Sequence, residues 1–217
     1  MIKRLLLTIT CITFPLYIVC SQQNIKLGFE SCEQSFNYQT LWPMFGKSFV
    51  KEHFKMDSIN SYFNYIDYKT NESYLKVGIE SSDTITSIPT QYALILSIVD
   101  NNQEIGSVKV DCHYQDNVIK ADKWKGLKDY IEPQLKVIEG KTISLEKALK
   151  IAKNRGYEIG TWEIDYEKKL GSNDYKTFFP RLIWTIKGQK NNSGIEVIQI
   201  NAKNGNIIKE FQEYNID

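Results

Sequence analysis

The side chains best suited to chemistry in this 217-residue sequence lie together around position 112. Cys112 and His113 are the residue types of a nucleophile and its base, while Asp111 and His113 are those of two metal ligands. On a strand, neighbouring side chains point to opposite faces, so Cys112 and His113 cannot touch. Nothing near Asp111 completes the three or four ligands that a metal needs. We therefore predict no catalytic residue, no metal site and no cofactor, and we interpret His53 as part of a solvated helix end.

Other motifs that mark enzymes are missing from the sequence. No Gly-x-Ser-x-Gly motif occurs, and the glycines at 156 and 160 lack the preceding strand and following helix of a phosphate loop. Asp165 and Glu167 lie two apart, as paired carboxylates do, but two lysines follow them, which is typical of a charged strand edge. The sequence thus predicts a protein that is not an enzyme. A secreted hydrolase with an unrecognised site stays as the third alternative.

The first 21 residues have the pattern of a signal peptide. Lys3 and Arg4 precede an apolar run of residues 5–19, which is shorter than the about 20 residues that a membrane span needs. Cleavage after Ser21 predicts an exported protein that is periplasmic, extracellular or in the cell envelope. In the alternative, Cys20 is acylated and the protein is a lipoprotein; contact with a membrane is expected in that case only. An uncleaved anchor ranks below both.

Processing leaves two cysteines and almost no net charge. Cys32 and Cys112 form an even pair in an oxidising compartment, so a disulfide between them is predicted, with two buried thiols as the alternative. Removal of Lys3 and Arg4 leaves 25 basic residues against 26 acidic ones. Nucleic-acid binding needs a clustered basic excess, so we expect no nucleic-acid partner.

Apolar spacing divides the rest of the chain into an N-terminal region (22–122), a connecting helix or linker (123–141) and a C-terminal domain (142–217). In the first region, residues 32–53 predict broken helical turns because Pro43 and Gly46 interrupt them. Apolar residues at i, i+3, i+4 and i+7 predict a helix over residues 58–68. Strands are expected after it, with turn chemistry at residues 100–102.

The C-terminal domain carries the clearest local signals. Ser144 is a good N-cap for a one-sided helix, and Gly156 suits its left-handed C′ position. Alternating strands follow near Trp162 and Trp184. Asn204-Gly205 then predicts the turn of a closing hairpin.

Three segments of this domain resemble the PepSY family. The helix at 143–152, the strand at 180–186 and the hairpin at 197–208 match its pattern over residues 142–210, although Asn201 stands where an Asp is common. The resemblance implies an α+β fold in which a helix packs on an antiparallel sheet. It also implies a protein partner, a peptidase that is bound and in some cases inhibited. No functional residue is implied, because the pattern marks positions of the fold.

The two halves share the order of their elements at an offset of 89 residues, as residues 118–120 and 207–209 show. This predicts two tandem PepSY-like αβββ units. The abundant aromatic residues either fill the core or form a patch for a partner, and Phe178, Phe179 and Trp184 are the candidates for such a patch. We expect an exported binding module; the alternative is a structural envelope protein that acts through self-association.

Overall fold

The structure is a computed structural model that describes residues 25–26, 29–67, 72–77, 84–85, 89–115, 118–167, 181–190 and 194–213. The predicted leader with Cys20, and the pair Phe178 and Phe179, lie outside the described residues. Helices pack on antiparallel sheets, so the α+β class is confirmed. No helix in the described part of the chain is long and apolar enough to cross a membrane.

The N-terminal region begins with a layer of short helices. Its elements up to residue 53 are β1 (Ile25–Lys26), α1 (Phe29–Phe36), a π-helical segment (Asn37–Leu41), α2 (Trp42–Phe45) and α3 (Lys47–His53). Pro43 starts α2, and Gly46 ends it with a φ of 81°, which side-chain-bearing residues rarely adopt. The backbone stays helical through Phe36, Leu41 and Trp42, so residues 29–45 form one helical run with a π-helical segment inside it. The predicted break is therefore confirmed at Gly46 and wrong at Pro43.

A five-stranded antiparallel sheet follows these helices. Its strands are β2 (Phe54–Asp67), β3 (Glu72–Val77), β5 (Pro89–Asp100), β6 (Gln103–Gln115) and β7 (Val118–Ala121), in the spatial order β3-β2-β5-β6-β7. The two-residue strand β4 (Thr84–Ile85) pairs with β1 instead. Asn101 and Asn102 both have positive φ in the turn between β5 and β6, which confirms the predicted turn.

The prediction of a helix over residues 58–68 is wrong, because residues 58–67 belong to β2. The register passes from Asp57 opposite Ile95 to Tyr62 opposite Ala93, so β2 carries three more residues here than its partner. The Asp57 carboxylate accepts hydrogen bonds from the backbone N–H groups of Ile59 and Asn60 and holds this bulge. The extra residues shift the period-2 pattern of a strand into one that imitates helical spacing.

A disulfide joins the helical layer to this sheet. Cys32 in α1 and Cys112 in β6 are bonded, with their Cα atoms 6.1 Å apart and both residues buried, so the predicted disulfide is confirmed. The bond closes a loop with a sequence separation of 80. In the chain-entropy model such a cross-link stabilises the fold by about 4–5 kcal/mol.

The C-terminal elements are α4 (Leu127–Tyr130), α5 (Glu132–Ile138), α6 (Leu145–Asn154), β8 (Glu158–Tyr166), β9 (Leu182–Gln189), β10 (Ile195–Asn201) and β11 (Ile207–Gln212). The Ser144 hydroxyl accepts a hydrogen bond from the Lys147 N–H at 3.3 Å, which confirms the N-cap. Gly156 and Gly205 have φ values of 87° and 80°, as the predicted helix end and hairpin turn require. The strands form one antiparallel sheet in the order β8-β9-β10-β11.

The two sheets share a topology. In each, a helix (α3 or α6) precedes four antiparallel strands that are neighbours in space, namely β2-β5-β6-β7 and β8-β9-β10-β11. The N-terminal sheet has β3 in addition, on the outer side of β2. A common origin of the two units stays a prediction.

Packing connects the two units. Buried residues of both sheets and of α4 and α5 form one apolar cluster that includes Leu127, Ile131 and Trp184. The Trp162 indole N–H of β8 also donates to the Glu104 carbonyl of β6 at 2.8 Å. The two sheets therefore lie side by side, with α4 and α5 next to their junction.

Candidate functional site

The predicted partner patch is corrected at Trp184. This side chain is fully buried, and its indole N–H donates to the Ile143 carbonyl at 3.2 Å. It fills the space between the sheet and the start of α6, because a large aromatic ring gains most by burial when its polar atom finds a partner. A protein partner cannot reach it, so Phe178 and Phe179 alone stay as predicted patch residues.

The histidines and Cys112 do not come together as a site. Cys112 is buried in its disulfide, whereas His113 is exposed on the other face with Nε2 3.1 Å from Asp122. Asp111 is exposed and lies 3.5 Å from Lys109. Among the described residues, no group of three or more His, Cys, Asp or Glu side chains could hold a metal.

His53 is not the solvated residue that its charged neighbours predicted. Its side chain is only 12% exposed, and its ring packs on Phe49 with the centroids 4.5 Å apart. The Nδ1 atom lies 2.9 Å from the Val99 carbonyl oxygen. The ring therefore joins α3 to β5, as a structural contact.

A cleft of about 810 Å³ lies between the two units. One wall is β8, and the other is the start of β6. The floor is formed by α4 and α5. The residues that line it are Glu104, Gly106, Ser107, Tyr130, Ile131, Pro133, Gln134 and the seven consecutive residues 160–166.

Strand pairing explains why the cleft is open. Within the described ranges, β8 pairs only with β9, so its other edge has no strand partner. The strand β6 pairs with β7 only from Cys112 onward, which leaves its first half without a partner on that side. Charged side chains often protect such edges. Asp165 lies on this edge strand, and Glu167 just after it binds Arg181 at 2.9 Å. The two lysines of the predicted charged edge lie outside the described residues.

Negative charge and aromatic rings dominate the cleft. Its described lining residues include the carboxylates of Glu104, Glu163 and Asp165 and no Lys, Arg or His. Tyr130 and Trp162 are 62% and 37% exposed, so their rings contact solvent. Such a surface is suited to a cationic group that also has an apolar stem.

Tyr166 at the end of the cleft has an altered environment. Burial raises the pKa of its phenol, and its hydroxyl accepts a hydrogen bond from Lys136. The bond to Tyr166 in turn raises the pKa of Lys136, which also pairs with Glu132 at 3.1 Å. Lys136, which contacts this end of the cleft, is therefore already engaged.

A second charged cluster joins α6 to β11 and β9. Glu210 accepts hydrogen bonds from Arg155 at 2.8 Å and from Lys190 at 2.9 Å. These two cations, Lys190 first, lower the pKa of Glu210. Burial, with the Glu210 charge beside it, raises the pKa of Tyr157 to about 12. The cluster pairs one carboxylate with two cations from other parts of the domain, so it acts as a clasp within the domain.

Sequence reasoning did not find the cleft. It placed Trp162 and Ile164 on an alternating strand and noted Asp165, but it had no means to bring Glu104 or Tyr130 to the same place. A usable signal was the isolated Gly160 inside the strand, since such glycines mark bulges. The structure has a register shift between Ile159 and Thr161, where β8 meets the cleft.

The comparisons with known proteins agree with the C-terminal resemblance. Residues 142–211 match the model of the PepSY family, described as the peptidase propeptide and YPEB domain. The match covers about a third of the chain and contains α6 and the whole sheet from β8 to β11. No curated protein and no solved structure matches the chain. Residues 142–211 are thus similar to a PepSY domain.

Proposed function

Because residues 142–211 match the PepSY family model, we propose that this protein is an exported binding module that holds a peptidase and inhibits it. The family description links the domain to peptidase propeptides, and this single observation carries the proposal. The matched residues correspond to one complete helix-and-sheet unit with its own buried face, as a binding module requires. No catalytic step is assigned to the protein.

Two features support the export part of the proposal. The chain begins with the sequence pattern of a signal peptide, and the Cys32–Cys112 disulfide suits an oxidising compartment. Cleavage after Ser21 is the processing that we favour, with acylation of Cys20 as the alternative. Mass spectrometry of the isolated protein distinguishes the two, because a lipid on Cys20 adds mass and changes the first residue.

The hydrolase alternative would be favoured by a pocket that combines perturbed carboxylates with His113. His113 does not line the acidic cleft. The structural alternative has one observation in its favour: the side chains of Phe211 on β11 and Ile195 on β10 are partly exposed. A self-associating protein is expected to bury this apolar surface in a dimer.

The proposal is tested by capture followed by inhibition. The purified protein is immobilised and exposed to the native envelope and secreted fractions of its source cell, and mass spectrometry identifies the bound proteins. We expect one peptidase in stoichiometric amount, whose activity falls as the free protein is added and reaches a minimum at one molar equivalent. Capture of no peptidase, or self-association alone, would exclude the proposal and favour the structural alternative.

A matched control separates the PepSY fold from non-specific adsorption. The substitution Trp184→Ala removes a buried side chain and leaves the surface chemistry unchanged. Capture and inhibition should both fall with this variant as its C-terminal sheet loses structure. Unchanged capture by a variant that circular dichroism shows to be unfolded indicates adsorption.

A further inference from the structure

We propose that the open edge of β8 in the acidic cleft binds an extended, basic polypeptide segment as an added strand. The inference rests on the proposed function of protein binding and names the place and the chemistry of the segment that is bound. Both units form this surface. Its N-terminal part, which includes Glu104 and Tyr130, lies outside the residues that match the family.

The lining of the cleft shows that an edge is presented. Successive side chains of a strand point to opposite faces, so a groove along one face would be lined by alternate residues. Here all seven residues from Gly160 to Tyr166 line the cleft. Consecutive lining residues mean that the cleft runs along the strand edge, where backbone N–H and C=O groups can pair with an incoming strand.

The size of the cleft suits a short extended segment. Seven residues of strand extend over about 23 Å at about 3.3 Å per residue. The opposite wall is the start of β6, where Glu104 already accepts the Trp162 indole N–H. The side chains of Ile131 and Pro133 on the α5 side are buried, so a segment along β8 would meet the polar groups of the cleft and the exposed rings of Tyr130 and Trp162.

The charge of the cleft selects the segment. Its described lining carries three carboxylates and no cationic residue, and Glu163 lies exposed on the edge strand itself. The rings of Tyr130 and Trp162 offer faces that attract an ammonium or guanidinium group. A segment that contains Lys or Arg is therefore attracted by both the carboxylates and the aromatic rings, whereas an acidic segment is repelled.

A second copy of the chain is a poor occupant of this edge. If two β8 strands paired in antiparallel fashion around Glu163, the two Glu163 side chains would lie opposite each other, with Asp165 close by. Like charges directly opposite each other destabilise a pair of strands. A glycan could use the rings and carboxylates of the cleft, but it would make no use of a strand edge.

The test uses synthetic heptapeptides and the full protein as purified. The probes are a capped peptide of alternating Lys and Val, its Glu and Val counterpart, and two forms of the basic peptide that are N-methylated at odd or at even positions. Binding is measured by calorimetry, and the Trp162 indole N–H is followed by NMR, with Trp162→Phe to assign it. We expect the basic peptide to bind with a dissociation constant of about 100 μM or tighter and the acidic one not to bind.

The methylated peptides are the decisive probes. Alternate N–H groups of a strand point to opposite sides, so one methylation pattern should abolish binding while the other is tolerated. Equal binding of both patterns overturns the added strand. Binding of the acidic peptide or of a neutral oligosaccharide in place of the basic peptide overturns the assignment of the partner.

Charge variants test the same cleft from the side of the protein. Glu163→Lys should weaken the binding of the basic peptide about tenfold or more, and Glu163→Gln should weaken it less. The matched control Glu146→Gln neutralises an exposed carboxylate on α6, outside the cleft, and should leave affinity unchanged. If no heptapeptide binds although a peptidase is captured and inhibited, this inference fails and the proposed function stands; if capture fails as well, both fail.

Discussion

The two units of this protein hold their helices to their sheets in different ways. In the N-terminal unit, residues 29–121, a helical run over 29–45 contains a π-helical segment, and its first part, α1, is bonded to β6 through Cys32 and Cys112. In the C-terminal unit, residues 142–213, α6 has no covalent bond to its sheet, since no cysteine follows Cys112. It is one capped helix whose buried face includes Leu145 and Ala148. Most helical stability in proteins comes from tertiary packing, so each unit needs tertiary support for its helix, and the two obtain it differently.

The comparison indicates that the cross-link supports an irregular helix. The N-terminal run contains a π-helical segment at Asn37–Leu41 and ends at Gly46, whereas α6 is regular and capped by Ser144. π-helical turns are rare within α-helices. The disulfide limits the unfolded chain and so adds stability that does not depend on the regularity of the helix.

The largest expected effect is in the C-terminal unit, which depends on packing. Trp184→Ala should lower the free energy of unfolding by about 3–5 kcal/mol, because it leaves a cavity and removes the donor to the Ile143 carbonyl. Chemical denaturation followed by circular dichroism measures the loss. Trp162→Ala, at a residue that is 37% exposed, should cost clearly less; an equal cost would contradict the assigned role of Trp184.

The next effect tests the cross-link. Replacing Cys32 and Cys112 by Ala should cost about 2–5 kcal/mol. Hydrogen exchange should show protection lost in β5 and β6 while β9 and β10 keep theirs, since the bond lies in the N-terminal unit. Equal loss in all four strands would show instead that the two units unfold as one.

Gly46 tests the break between α2 and α3. Its φ of 81° and ψ of 153° lie in a region that only glycine adopts readily, so Gly46→Ala should cost about 1–3 kcal/mol through backbone strain. No atom within 4 Å meets an added Cβ, so steric contact does not contribute. Gly126→Ala is the control, because Gly126 has a φ of −87°; thermal melting should barely change for it.

Glu210 tests the charged clasp of the C-terminal unit through pH. Its pKa is lowered in the fold from an ordinary value of 4.5, mainly by Lys190 and then by Arg155. The stabilisation is therefore present above pH 4.5 and is lost as the pH falls through the lowered pKa. Glu210→Gln should cost about 1–2 kcal/mol at neutral pH. The cost should shrink in acid; a cost independent of pH would mean that the charge of Glu210 contributes nothing.

The smallest effect concerns the cap of α6. Ser144→Ala removes the acceptor for the Lys147 N–H and should cost about 1 kcal/mol. Ser144→Asp restores an acceptor and should recover most of this stability. Denaturation curves of the three proteins suffice, and an Asp variant as weak as the Ala variant would show that the hydroxyl is not a cap.

Local signals explain what could be predicted. Ser144, Gly156 and the Asn204-Gly205 turn act through hydrogen bonds and φ angles within a few residues. Their effects can therefore be predicted from neighbouring positions in the sequence. The PepSY resemblance rests on the same signals, and the family match at 142–211 agrees with it. The disulfide was predictable because only two cysteines follow the predicted leader.

The misassigned segment at 58–68 shows where this reasoning fails. Aromatic and branched residues such as Phe63 favour a strand, but the bulge at Asp57 shifted the pattern toward helical spacing. Trp184 was misassigned for a related reason, since exposure depends on the elements that cover a residue. Its neighbours Ile143 and α6 lie about 40 positions away in the chain.

By itself, the sequence determined the caps, turns, disulfide partners and the α+β class of this protein, because short-range hydrogen bonds and composition decide them. Only the tertiary structure decided which strand edges stay open and which side chains meet in the cleft. Glu104, Tyr130 and Trp162 come together there through the packing of two sheets and a helix pair. No spacing within one element encodes that arrangement, since it results from contacts between residues far apart in the chain.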